Sequence, residues 1–274
     1  MLEEWLDPGR ASTWEEESRA ALAGRLAVQG GQLALERFED ACVSWKPDGS
    51  MLTDVDVAVQ QLLEKEILAR FPDDGVVSEE GLLRPAAGGR QAFWWILDPI
   101  DGTNNFGRGL PGFAVSVGVV SAGYPVAGAV YDPFARWLFR AASGEGAWLN
   151  GRRLRLMPEA LDGRSLFAIR APYGDDGPPA YVQRWLGRYR LRRFGSVALQ
   201  LCYVALGALA FVHDQKVVLW DVAGALPVLL EAGALVTNPD GASLLPLDAF
   251  DRRPFGLLAG NPLAHRQARR DISA

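Results

Sequence analysis

Between residues 75 and 142 the chain repeats one device. Short segments rich in β-branched and aromatic residues ("GVVS", "FWWIL", "FAVSVGVV", "PVAGAVYD" and "RWLFRAA") alternate with turns that carry glycine and proline. Segments of this length and composition read as strands. Their close spacing predicts an antiparallel or mixed sheet, and two helical stretches stand ready to back it. The first helix is expected over "TWEEESRAALAGRLAVQGGQLALERF", opened by a capping box of Ser12 and Glu15 and weakened, with a bend, at Gly30-Gly31. After the "KPDGSM" turn, Thr53 is expected to cap a second helix, "DVDVAVQQLLEKEILARF", which "PDDG" stops.

After "NGRRL" the pattern changes to strand–helix alternation. It runs through a strand "SLFAIRA", a helix near 179–189, a strand "RRFG", a helix from Ser196, a strand "VVLW", a helix from Asp221 and a strand "ALVTN". This predicts an α+β half over 1–160 and a more α/β half over 161–274, joined without a flexible linker. Pro227 removes a backbone donor inside the Asp221 helix and should kink it.

Of the 274 residues 49% are hydrophobic, and the formal net charge is -5, which argues against a general binder of nucleic acid or anionic membrane. Two distant cysteines, Cys42 and Cys202, build neither a zinc pattern nor a disulfide framework. The first residues carry acids where a signal peptide carries bases, and the apolar run "LQLCYVALGALAFVH" falls short of the roughly 20 residues of a membrane span. A cytoplasmic, reduced protein is expected.

The chemistry lies where apolar segments run directly into acids. "WWILDPIDGTNNF" ends in Asp98 and Asp101, and Pro99 keeps Asp98 extended. "VVSEEG" offers Glu79 or Glu80, of which alternation along a strand sends only one to a shared site. "TDVDVAV" offers Asp54 or Asp56, about 200° apart on a helix, and "LWDVAGAL" offers Asp221. Two like charges ~4 Å apart repel by about 4 kcal/mol at an effective dielectric near 20, so converging acids require a cation. Oxygen ligands with few histidines indicate a hard ion, Mg²⁺.

These segments resemble the inositol monophosphatase family of Mg²⁺-dependent, lithium-sensitive phosphomonoesterases over nearly the whole chain. "WWILDPIDGTNNF" is similar to its D-P-I-D-G-T motif, "VSEEG" to its paired glutamates, and "LWDVAGA" to its W-D-x-A motif. "KPDGSMLTDVD" is similar to its N-terminal segment. The resemblance implies a layered αβαβα sandwich of the sugar-phosphatase type, usually homodimeric. It implies hydrolysis of a small phosphorylated polyol or sugar by direct attack of a metal-activated water, with inositol 1-phosphate first and fructose 1,6-bisphosphate and histidinol phosphate as alternatives.

Two to three Mg²⁺ ions are implied, with Mn²⁺ as a substitute. Glu79, Asp98 and the carbonyl of Ile100 would hold the first ion. Asp98, Asp101 and Asp221 would hold the second, and a third would sit near Glu79. Gly102 and Thr103 would receive the phosphate, and Asp56 with Thr103 would position or deprotonate the attacking water. "RRFGSVALQLCYVALG", with Gly195 and Ser196, resembles the alcohol side of the pocket, and Asp214 falls where relatives carry a glutamate for sugar hydroxyls. Ser78, Ala234 and Pro227 depart from the family pattern without touching a metal ligand. "GRYRLRR" reads as a solvated face or a second phosphate site, and His213 as a surface residue or a substrate contact. A non-enzymatic role in a transcription complex is the rival, although "RQARRDISA" is too short and mixed in sign for an RNA-binding tail.

Overall fold

A computed structural model describes residues 18–81, 83–87, 89, 92–170, 173, 177–247 and 250–274. The Ser12–Glu15 capping box lies outside them. Within them the first helix, α1 (Arg19–Glu36), is capped by Ser18, whose hydroxyl accepts from Ala21 N. It runs unbroken through Gly30 and Gly31, both buried. These glycines are contact points: a Cβ on Gly31 would stand 2.5 Å from Tyr131. A hairpin of β1 (Val43–Trp45) and β2 (Met51–Thr53) turns at "KPDGS" and leads into α2 (Asp54–Arg70).

The five strands read in the first half, with two more that follow them, form one seven-stranded sheet in chain order. They are β3 (Gly75–Ser78), β4 (Phe93–Asp101), β5 (Ala114–Ser121), β6 (Tyr124–Asp132), β7 (Trp137–Ala142), β8 (Gly146–Leu149) and β9 (Arg152–Leu154). Only β3–β4 is parallel. A short helix, α3 (Thr103–Phe106), follows β4.

The second sheet is mixed, in the order β11 (Arg190–Arg192), β10 (Leu166–Ile169), β12 (Phe211–Val217), β14 (Phe255–Gly260), β13 (Leu235–Thr237). Its helices are α4 (Ala180–Arg188), α5 (Val197–Leu206), α6 (Leu219–Ala223), α7 (Ala225–Ala232) and α8 (Pro262–Ser273). Two readings are corrected here. "VVLW" is not one strand, since β12 ends at Val217, and Leu219 and Trp220 open α6, in which Asp221 is the third residue. The strand read at "RRFG" lies earlier in the chain, as β11 over Arg190–Arg192; "RQARRDISA", which sequence left without an element, forms most of α8. The expected disturbance at Pro227 is a break: helix continuity is lost at Gly224, and Pro227 falls in the first turn of α7, where its missing donor is tolerated.

Three apolar clusters stack these pieces into five layers. Leu22, Leu26, Val59 and Leu63 of α1 and α2 pack with Trp95, Leu97, Val117 and Val119 on one face of the first sheet. Ala198, Leu201 and Val228 of α5 and α7 fill the space between Val130 and Phe139 of the first sheet and Val212 and Leu257 of the second. Val182, Trp185 and Ala268 of α4 and α8 cover Phe167 and Phe211 on the outer face. The result is an αβαβα sandwich. Among the described residues no helix is long and apolar enough to cross a membrane.

Candidate active site

Alternation along β4 decides where its acid points. Trp95 and Leu97 enter the cluster under α1 and α2, whereas Ile96 joins Leu219, Trp220 and Ala223 of α6 on the other face. Asp98, two residues on, shares the α6 face. Its exposure is 1%, and its Oδ1 has no hydrogen-bond partner among the described residues. Ser116, its cross-strand partner on β5, also has an unpartnered hydroxyl. Burial pushes the Asp98 carboxyl well up, and the charges of Glu79, Asp101, Asp221 and Asp56 push it further. These four acids are therefore its neighbours.

The β4–β5 register shifts between Asp98 and Asp101. Past the shift, Asp101 docks on the N-terminus of α5: its Oδ2 accepts from Ser196 Oγ (2.5 Å) and Ala198 N (2.6 Å). Backbone donors and the helix dipole favour a carboxylate there. Burial still dominates and raises its pKa to about 6, against the pull of those bonds.

Asp221 Oδ2 accepts from Val218 N at 3.0 Å, closing the first turn of α6. Its pKa is raised to about 8, by burial first and then by Asp101, with Glu79 adding and Arg170 opposing. Two glycines let α6 lie close enough. A Cβ on Gly118 of β5 would meet Ala223 O at 2.6 Å, and one on Gly224 would meet Ser116 Oγ at 2.4 Å. Real Cβ atoms do not approach so closely, so the sheet and the helix junction meet backbone to backbone.

On the other side of β4, Thr53 and Asp56 form a capping box at the start of α2, in which Asp56 Oδ2 accepts from Thr53 N (2.9 Å) and Thr53 Oγ1 (2.5 Å). The second Asp56 oxygen lies 3.2 Å from Thr103 Oγ1, which is also 2.9 Å from the Ile100 carbonyl. Burial raises the Asp56 pKa to about 6. Asp54 is exposed and accepts from Cys42 N instead. Thr103 follows Gly102, whose φ of 104° and 2.9 Å clearance to Gly112 O suit glycine alone.

Of Glu79 and Glu80, it is Glu79 whose charge acts on Asp98, Asp101 and Asp221, yet the two share one cation. Lys46 Nζ donates to both, at 2.8 Å to Glu79. Burial alone would lower the Lys46 pKa, but these two bonds outweigh it and raise it. Lys46 is a site residue that sequence reading passed over as part of a turn. Arg252 is another: Nη2 donates to the Glu79 carbonyl (2.6 Å) while its guanidinium lies 5.2 Å from the Trp220 ring, next to Asp221.

On the expected alcohol side, Ser196 is fully buried and its hydroxyl serves Asp101 and Leu199 N, so it faces no substrate. Gly195, with φ of 86°, is exposed and leaves room for the Asn105 amide, which donates to Gly112 O and Phe194 O. Asp214 is 3% exposed, accepts from Lys216 N (2.9 Å), and lies 3.8 Å from Arg170 Nη1. His213 is neither at the surface nor aimed outward. It lies 1% exposed between Leu257 O and Tyr181 Oη, 3.1 Å from each, and burial lowers its pKa to about 4. The "GRYRLRR" segment closes α4 and forms β11, with Tyr189 turned inward and Arg190, Arg192 and Arg193 exposed.

Five acids within electrostatic reach, all-oxygen donors and an unpartnered buried Asp98 oxygen fit a hard divalent cation. Among the described residues no three acid, histidine or cysteine side chains stand close enough to hold an ion as placed. Glu79 is held by Lys46, and Asp101 by Ser196 and Ala198.

Residues 15–272 match the model of the inositol monophosphatase family. A "Nus factor SuhB" from Xylella fastidiosa is 32% identical over 232 residues, 83% of each chain. A "Fructose-1,6-bisphosphatase/inositol-1-monophosphatase" from Aquifex aeolicus is 32% identical, covering 87% of this chain and 89% of its own. Among solved structures, the SuhB protein of Bartonella henselae superposes with a TM-score of 0.83 at 27% identity, over 92% of this chain and 97% of the other. The inositol monophosphatase of Thermotoga maritima gives 0.82 at 28%, over 93% and 96%. The order of the motifs, the five-layer sandwich and these likenesses agree, and the chain belongs to the inositol monophosphatase family.

Proposed function

We propose that this chain hydrolyses a small phosphorylated polyol or sugar with Mg²⁺ as cofactor. Inositol 1-phosphate is the first candidate, with fructose 1,6-bisphosphate and histidinol phosphate as alternatives. The observation that carries the reading is the buried, unpartnered Asp98 oxygen among Glu79, Asp101, Asp221 and Asp56. Glu79, Asp98, Asp101, Asp221 and the Ile100 carbonyl would hold the ions, two to three in number, and Mn²⁺ would substitute. When bound, Mg²⁺ lowers the pKa of water and stabilises charge on the phosphate and the leaving alkoxide.

The chain's own groups do the rest. The amides of Gly102 and Thr103 receive phosphate oxygens. Thr103 Oγ1, 3.2 Å from Asp56, takes a proton from the attacking water as it passes its own to that carboxylate, and the leaving alkoxide takes up a proton from solvent. An Asp56 pKa of about 6 suits a base working near neutrality. No covalent phosphoenzyme is required, since water itself supplies the attacking oxygen. Cytoplasmic location, lithium inhibition and a homodimer complete this reading.

Purified protein tested on inositol, fructose, histidinol and adenosine phosphates should release phosphate only with Mg²⁺, and Li⁺ should inhibit it. Asp98→Asn should abolish release. Full activity in EDTA, or in that variant, sinks the proposal. Relatives called Nus factor SuhB favour a second reading, an interaction role in a transcription complex. A chromosomal Asp98→Asn allele separates the two, because an interaction role would survive the loss of the carboxylate.

A further inference from the structure

β10 and β12 are parallel neighbours, with Ile169 opposite His213. β10 therefore ends at this pair and releases Arg170 beside Asp214, which is still within β12 and opposite Leu257 of β14; the ends of parallel strands are where ligand crevices open. Arg170 N donates to His213 O at 3.4 Å, and Nη1 donates to the Lys216 carbonyl. The guanidinium is thus anchored at one corner by a neutral oxygen. Its 3.8 Å separation from Asp214 is too long for a hydrogen bond, and Asp214 Oδ1 is already engaged by Lys216 N. The Arg170 side chain remains 52% exposed. Lys216, which holds the guanidinium through its carbonyl, lies near the end of β12, and that strand leads directly into α6 and Asp221, so Arg170 sits on the same side of the sheet end as the acidic cluster. Lys216, also exposed, follows Asp214 on β12.

We propose that Arg170 forms a second anion subsite at the mouth of the catalytic crevice, so that the preferred substrate carries another phosphate or a carboxylate besides the ester that is cleaved. The proposal rests on the phosphatase reading above. A planar fork of N–H donors matches both anions, and its anchorage at one corner reduces the freedom lost on binding. An inositol bearing one phosphate presents only hydroxyls to this rim, and a guanidinium beside an engaged carboxylate is a poor match for hydroxyls alone. The subsite therefore moves a doubly anionic ester such as fructose 1,6-bisphosphate, an alternative above, ahead of inositol 1-phosphate.

The test compares matched pairs: fructose 1,6-bisphosphate with fructose 1-phosphate, and 2-phosphoglycerate with glycerol 2-phosphate. In Mg²⁺, the member with the second anion should be favoured in kcat/KM by about 10–100-fold, the range of a charge-assisted bond. Arg170→Ala should bring that ratio to within about twofold of unity through the KM of the doubly anionic member, and Arg170→Lys should keep part of it, as a point charge does. Preference in the fructose pair alone identifies a second phosphate, and in the glycerol pair alone a carboxylate. No preference in either pair, or a ratio unchanged by Arg170→Ala, overturns the subsite. Should no ester be hydrolysed, the phosphatase reading fails separately. Calorimetric binding of fructose 1,6-bisphosphate then decides the subsite, which stands if Arg170→Ala weakens binding and falls if it does not.

Discussion

At the end of β4 the seven-stranded sheet buries its acids and leaves them mutually repelling, whereas beside the end of β10 the second sheet sets a buried acid against a half-exposed base. Asp98 is 1% exposed with an oxygen that has no partner among the described residues, while Asp214 accepts from Lys216 N and has Arg170 beside it. The same residue type thus acquires two chemistries. Burial among like charges stores a demand for a cation, and a buried acid with a half-exposed base beside it offers selective contacts without such a demand. The first sheet fits reaction, the second fits choice of substrate.

Substitutions seven residues apart, Asp221→Asn and Asp214→Asn, break this contrast most sharply. Asp221→Asn should lower kcat by more than the about 10–100-fold typical of groups that merely orient ligands. Asp214→Asn should act mainly on KM, and by different factors for different esters. Steady-state kinetics at saturating Mg²⁺ checks both, and equal losses in kcat would erase the division between the sheets.

Ser196→Ala probes the seam between them, since this residue of the second half holds an acid of the first. It should weaken Mg²⁺ binding, read by calorimetry, by about 10–100-fold. Loss of the α5 cap should also destabilise the fold by about 1 kcal/mol. A variant with unchanged Mg²⁺ affinity would mean that Asp101 needs no help from α5.

A further effect falls on stability. Asp56 and Asp101 are raised to about 6 and Asp221 to about 8, above the ordinary 3.8. The folded state therefore holds more protons than the unfolded one between those values. Stability of the metal-free protein falls as pH rises through that window. In EDTA the Tm should be higher at pH 5 than at pH 8, and Mg²⁺ should raise it more at pH 8. A flat profile would show that the acids do not repel as their burial implies.

Much of the frame was legible. The order of strands from β3 to β7, the turn at "KPDGS", the cap at Thr53, the helix start at Ser196 and the strand ends bearing acids follow from local propensity and periodicity. Local rules failed where one apolar run serves two elements: Val217 closes β12, while Leu219 and Trp220 begin α6, and nothing in "VVLW" marks the change. They failed again at β14 and α8, whose sequences are short or strongly charged. The pairing of Lys46 with Glu79 and Glu80 was invisible because it joins a hairpin to a strand end more than 30 residues away.

By itself the sequence determined which residues could act: acids at the ends of apolar segments, a proline that keeps Asp98 extended, a glycine that makes the turn before Thr103. Helix geometry left Asp54 and Asp56 open, and resemblance to the family chose between them. Only the tertiary structure decided the company each residue keeps. It exposed Asp54 and buried Asp56 beside Thr103, gave Ser196 to Asp101 across 95 residues, and set Arg170 beside Asp214. The physical reason is that propensity acts within a few residues of the chain, whereas desolvation and charge act through space, and two residues on one pocket wall need share no stretch of sequence.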